Sequence, residues 1–219
     1  MSVRAIIPLK ALSAAKERLS GALDADRRQD LVAWMATHVI HVCQACSHID
    51  EVMVVAGDEA AADVARRAGA TVIIVDEPGL SRALDAADAA SAACTSTLVV
   101  AADLPDLTVD DVTAVLRAAA EVDGPVLVVA ATDDGGTGAL LRRPPDIIAT
   151  AYGPESAARH RAMAGAAGVP VVSVSREGLA RDVDTPEQLT PALARRRQQV
   201  VGSASPSRHN EESACRKAP

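Results

Sequence analysis

Phenylalanine is missing from this 219-residue chain, and tryptophan and tyrosine occur once each. A core must therefore be assembled from valine, isoleucine, leucine and abundant alanine, small side chains that suit helices laid closely on a sheet. The lack of aromatics removes the base-stacking platform of single-strand binders, and a net charge of −7 removes the electrostatic support for any nucleic acid. No apolar run is long enough to span a bilayer, which excludes a membrane partner of that kind. The opening Met1–Ile7 passes directly into a strand pattern without the charged, apolar and small-residue sections of a signal peptide, so a cytoplasmic location is expected. The four cysteines, Cys43, Cys46, Cys94 and Cys215, are too few and scattered for a disulfide framework. Cys43 and Cys46 do stand near His38, His41 and His48 at zinc-like spacing. They lie within a helical pattern with no second ligand pair downstream, so small packed core residues are the expected reading.

What is present is a rhythm. Strands are predicted over Val3–Leu9, Glu51–Ala56, Thr71–Val75, Thr97–Ala101, Pro125–Ala130, Ala139–Arg142 and Val169–Val174. Helices are predicted over 24–48 with Asp24 as N-cap, 59–68, 82–93 and 108–121 with Thr108 as cap. Another opens at Tyr152–Ser156, with Pro154 at its first position, and a short one begins at Pro186. The alternation predicts an α/β domain over residues 1–197, a mostly parallel sheet covered on both faces, with its ligand crevice beyond the carboxyl ends of the strands. From about Gln198 periodicity stops, and 198–219 reads as a disordered tail. The apolar helix around Trp34 and Met35 reads as core, with a homodimer face as the alternative.

Three carboxylates stand where the crevice would be. Asp103 follows an apolar strand, and in Asp182-Val183-Asp184 an extended backbone points both acids one way and the valine the other. If the strand ends are neighbours, Asp103, Asp182 and Asp184 form an oxygen-rich site suited to magnesium. The plainer alternative is that Asp103 begins a turn before Pro105 and that Asp182 or Asp184 caps the last helix. The loop after the first strand carries Lys10, Lys16 and Arg18 and has no glycine before Gly21, so it is not a P-loop. Its side-chain charge could neutralise a triphosphate, although a solvated basic surface is common.

The ordered set Ile6-Ile7-Pro8-Leu9-Lys10, Lys16-Glu17-Arg18-Leu19, Ala102-Asp103-Leu104-Pro105, Asp134-Gly135-Gly136-Thr137, Tyr152-Gly153-Pro154 with Ser156, Arg159 and His160, and Asp182-Val183-Asp184-Thr185-Pro186 resembles the guanylyltransferases of deazaflavin (coenzyme F-420) biosynthesis. The resemblance spans about residues 3 to 195. It implies a single-domain nucleotidyltransferase, GT-A-like, built as a three-layer sandwich. It implies transfer of GMP from GTP to a small phosphorylated three-carbon acid, with release of pyrophosphate. On the matching positions, Asp103, Asp182 and Asp184 would bind magnesium, Lys10, Lys16 and Arg18 would act on the phosphates, and Thr137, Gly153 and Ser156 would bind the acid. Gly153 and Ser156 flank a helix start whose free N–H groups suit an anion.

Two positions depart from the family's pattern. Gly138 stands where asparagine follows Gly-Gly-Thr, and Gly79-Leu80-Ser81 replaces Gly-Leu-Asn, which loosens the expected guanine preference. Space left at Gly138 would admit a bulkier acid, so 3-phospho-D-glycerate is expected ahead of 2-phospho-L-lactate and phosphoenolpyruvate. The remaining readings are another nucleotidyltransferase, such as a molybdopterin guanylyltransferase, and a non-catalytic nucleotide-binding subunit. An unstable diphosphate product would also gain from hand-over to a following enzyme.

Overall fold

The computed structural model describes residues 2–14, 16–75 and 80–203, with the side chains of 80–83 and 195–203 outside the description. Gly79, the Ser81 side chain and the segment from 204 onward therefore lie outside the described residues.

Seven strands make one sheet: β1 (Val3–Leu9), β2 (Glu51–Ala56), β3 (Thr71–Ile74), β4 (Ser96–Val100), β5 (Val126–Ala131), β6 (Thr137–Arg143) and β7 (Val171–Ser173), in the order β3-β2-β1-β4-β6-β5-β7. Every pairing is parallel except those of β6, which runs antiparallel between β4 and β5. The helices are α1 (Ala25–Ala45), α2 (Glu59–Arg67), α3 (Leu80–Ala90), α4 (Val109–Ala120), α5 (Ser156–Ala166), α6 (Glu177–Ala180) and α7 (Pro186–Ser203). Asp24 caps α1 through the Arg27 amide, and Thr108 forms a reciprocal capping box with Asp111 on α4.

The pleat sorts the apolar residues into two layers. Ala5, Ile7 and Leu9 of β1, Val52 and Val54 of β2, and Leu98 and Val100 of β4 join one core, with Met35 and Val39 of α1 and Val112 and Val115 of α4. Ile6, Met53, Val55, Val99 and Leu140 point the other way, toward Leu84 and Ala87 of α3 and Ala157 and Ala164 of α5. This is the period-two signature of a sheet buried on both faces. Arg142 of β6 is fully buried, and its guanidinium forks onto Asp88 of α3.

Cys43 and Cys46 belong to the first core, and burial, with Cys46 beside it, pushes the Cys43 thiol up to about 12. A thiol so placed packs as a small apolar side chain. His38 bonds the Leu107 carbonyl at 2.9 Å, while His41 is exposed. No helix among the described residues is long and apolar enough to cross a membrane.

Candidate active site

The carboxyl ends of β1 and β4 open into a cleft of about 460 Å³. Because β6 is antiparallel, its first residue, Thr137, arrives at that same edge of the sheet. All nine residues singled out from the sequence line this cleft: Lys10, Lys16, Arg18, Asp103, Thr137, Gly153, Ser156, Asp182 and Asp184.

One wall is acidic. Asp103 leaves the end of β4 with Leu104 and Leu107 anchored beneath it in the core. Asp182 and Asp184 face the cleft while Val183, 2% exposed, turns into the core. The Gln188 side-chain carbonyl accepts the amides of Asp184 and Thr185, at 2.7 and 2.8 Å, which fixes this extended run against the start of α7. Ligand oxygens of Asp103, Asp182 and Asp184 lie within 4.8 Å of one another, the one such group of metal-capable side chains among the described residues. Burial first, then the negative charges of Asp103, Asp134 and Asp184, pushes Asp182 up to about 6. Crowded hard oxygens of this kind fit a hard divalent cation.

The opposing loop is pinned at both ends by Leu12 and Leu19, which enter the core through short 3-10 turns, Leu12–Ala14 and Glu17–Leu19. Asp58, the cap of α2, also accepts the Leu12 amide at 3.0 Å. A side chain at Gly57 would meet the Ala11 nitrogen at 2.6 Å, so the close approach of β2 to the loop requires glycine there. Lys16, at φ 49°, extends its ammonium onto Asp103 and, at 2.6 Å, onto Asp184. Burial works against that charge, but the two carboxylates outweigh it and hold the ammonium above its ordinary pKa. Arg18 lies 3.8 Å from Asp184 with its side chain 79% exposed, and Lys10 is exposed, so both are open to an incoming anion.

The third wall joins β6 to α5. Thr137 Oγ1 lies 2.8 Å from Ser156 Oγ and 3.2 Å from His160 Nδ1, and the Ala151 amide donates to His160 Nε2 at 2.9 Å. Tyr152 meets the His160 ring edge-on at 5.1 Å. Helix α5 starts at Ser156, not at Pro154, with Glu155 as an N-cap at φ 54° that makes no side-chain cap. The Ser156 amide is already given to the Gly153 carbonyl and the Ala157 amide to that of Gly135, so the expectation of a free N–H at Ser156 is corrected. The Thr137 and Ser156 side chains, by contrast, line the cleft.

Gly138 also requires correction. The β5–β6 register skips it, pairing Ala130 with Ala139 and Ala131 with Thr137. This bulge turns Thr137 toward α5, and a Cβ at Gly138 would collide with the Leu179 carbonyl oxygen of α6. The position faces packed backbone, so its lack of a side chain gives no room to an acceptor acid.

Sequence reasoning assigned no role to three further residues. Asp134 lines the cleft, accepting the Thr132 hydroxyl at 2.5 Å and the Gly136 amide at 3.0 Å, which hold its carboxyl below the usual range. Thr132 lines the cleft beside it, and His160 stands behind the hydroxyl pair. The Asp-Gly-Gly turn signalled only a loop, and a histidine in a helix gave no hint of which strand it meets.

The sequence matches the family model described as guanylyl transferase CofC like over residues 3–195. A phosphoenolpyruvate guanylyltransferase of Sphaerobacter thermophilus is 35% identical over 191 residues, 86% of this chain and 91% of that protein. Another, of Conexibacter woesei, is 36% identical over 194 residues, 86% of either chain. The fold is similar to that of CMP:2-keto-3-deoxy-manno-octonic acid synthetase complexed with CTP, with a TM-score of 0.63 and 15% identity over 91% of this chain and 100% of that one. By this match over most of its length, on a nucleotidyltransferase fold, the chain belongs to the CofC-like guanylyltransferase family and is an enzyme of that kind.

Proposed function

We propose that this enzyme transfers GMP from GTP to phosphoenolpyruvate with release of pyrophosphate, a step suited to coenzyme F-420 biosynthesis. The observation that carries the reading is the single cleft in which an acidic cluster, a basic loop and a hydroxyl pair meet. The relatives named above are phosphoenolpyruvate guanylyltransferases, and the packing of Gly138 removes the argument for a bulkier acid. Phosphoenolpyruvate therefore takes the place of 3-phospho-D-glycerate as the proposed acceptor.

The chemistry needs no general base. The acid's phosphate is already anionic at neutral pH, so one of its oxygens attacks the α-phosphorus of GTP. A new P–O bond forms as the bond to the β-phosphate oxygen breaks, and pyrophosphate departs with that electron pair. Alignment and charge neutralisation are then the protein's contribution. Lys10, Lys16 and Arg18 would neutralise the triphosphate and the leaving pyrophosphate. Asp103, Asp182 and Asp184 would hold magnesium, which draws negative charge from the phosphate oxygens when bound. Thr137, Gly153 and Ser156 would seat the acid.

The test is pyrophosphate release from GTP and magnesium with phosphoenolpyruvate, 2-phospho-L-lactate and 3-phospho-D-glycerate supplied separately. Release with phosphoenolpyruvate is expected. Release with another acid alone would change the acceptor, and silence with all three would overturn the reading.

A further inference from the structure

The hydroxyl pair in the acceptor corner has a polarity, and His160 sets it. An amide can only donate, so the Ala151 N–H at 2.9 Å requires a lone pair on His160 Nε2. The ring is fully buried, and that burial, with the Arg142 and Arg159 cations nearby, pushes its pKa down to about 4. A neutral ring with a bare Nε2 carries its proton on Nδ1, which faces Thr137 Oγ1 at 3.2 Å.

The protons can now be counted. With Nδ1 protonated, the ring donates to the hydroxyl pair, one hydroxyl proton closes the 2.8 Å bond between Thr137 and Ser156, and one is left over. Both residues line the cleft, so the spare proton faces the ligand. With the opposite tautomer, a bare Nδ1 would consume one hydroxyl proton and the Thr137–Ser156 bond the other. The cleft would then see lone pairs, which repel an anion.

We propose that His160 is a positioning residue that fixes the Thr137–Ser156 pair as a hydrogen-bond donor toward an anionic oxygen of the acceptor acid. The inference deepens the proposed function and rests on it for the identity of the ligand. The ring itself touches no substrate. It acts through Thr137, and its place at i+4 from Ser156 puts both side chains on one face of α5.

The tautomer is readable on the unaltered protein by long-range proton–nitrogen correlation of the ring at pH 7, with the signal assigned by its loss in His160→Asn. Protonated Nδ1 and bare Nε2 are expected. Protonated Nε2, or a doubly protonated ring, would overturn the proposal. Kinetics give a second reading, because asparagine offers an N–H near the Nδ1 position while aspartate, of nearly the same shape, offers an acceptor. His160→Asp is expected to raise the KM for the acid by about tenfold, with the KM for GTP within about twofold, and His160→Asn to keep both near the original. Equal damage from both variants, or parallel loss for acid and GTP, would mean that the ring only fills space and would also overturn it. A protein with the expected tautomer that turns over no acid would strike the proposed function and leave the polarity of the hydroxyl pair standing.

Discussion

At Lys16 a single ammonium lies between two of the three carboxylates that would hold a metal. Removing it leaves Asp103, Asp182 and Asp184 mutually repelling, in a place where Asp182 is already pushed up to about 6. Lys16→Met is expected to cost about 1–3 kcal/mol in thermal unfolding without divalent ions, toward the lower end because Asp184 is partly solvated. Added magnesium should recover part of that loss; a variant as stable as the original would contradict the picture. Asp103→Asn keeps the size of the side chain and removes a charge. Turnover should fall at least about a hundredfold with the fold retained, and activity near that of the original protein with an unchanged magnesium requirement would remove Asp103 from the metal set. Asp103 was legible because an apolar strand delivers it, and Asp182 and Asp184 because Val183 alternates between them. Asp134 was not, because its place in the cleft depends on the pairing of β5 with β6.

Among the elements, α5 and β6 carry the less legible part of the site. The sequence rules for helix starts placed Pro154 inside α5, but the turn is closed instead by the carbonyls of Gly153 and Gly135, and Gly135 is remote from α5 in sequence. Likewise, a bulge at Gly138 is invisible until the strand's partner is known. Gly138→Asn is accordingly expected to destabilise the protein by about 1–3 kcal/mol, by collision with Leu179, without reordering its preference among acids. A stable variant with a new preference would contradict the bulge. His160 adds a pH dependence to α5. Its ring ordinarily protonates near 6.5 and in the fold near 4, so between those values the unfolded chain binds a proton that the folded one refuses. Stability from this group is full above about 6.5 and is lost as pH falls toward 4, on the order of 3 kcal/mol. Asp182 works in the opposite direction, gaining a proton in the fold below about 6. The comparison is therefore the unfolding curve of the original protein against His160→Asn, whose acid-side loss should be shallower. Parallel curves would contradict the assignment.

The whole molecule was readable as alternating strands and helices, and the three-layer arrangement follows from strands apolar on both faces. The order of the sheet was not. Nothing local shows that β6 inserts antiparallel between β4 and β5, yet that insertion brings Thr137 to the edge where Asp103 emerges.

The central claim is that the acid's own phosphate attacks GTP directly, and oxygen labelling tests it. Phosphoenolpyruvate carrying heavy oxygen throughout its phosphate should pass every label into the guanylylated product, one atom becoming the bridge between the two phosphorus atoms, while the released pyrophosphate stays unlabelled. Label in the pyrophosphate, or an unlabelled bridge in the product, would show another route and contradict the account.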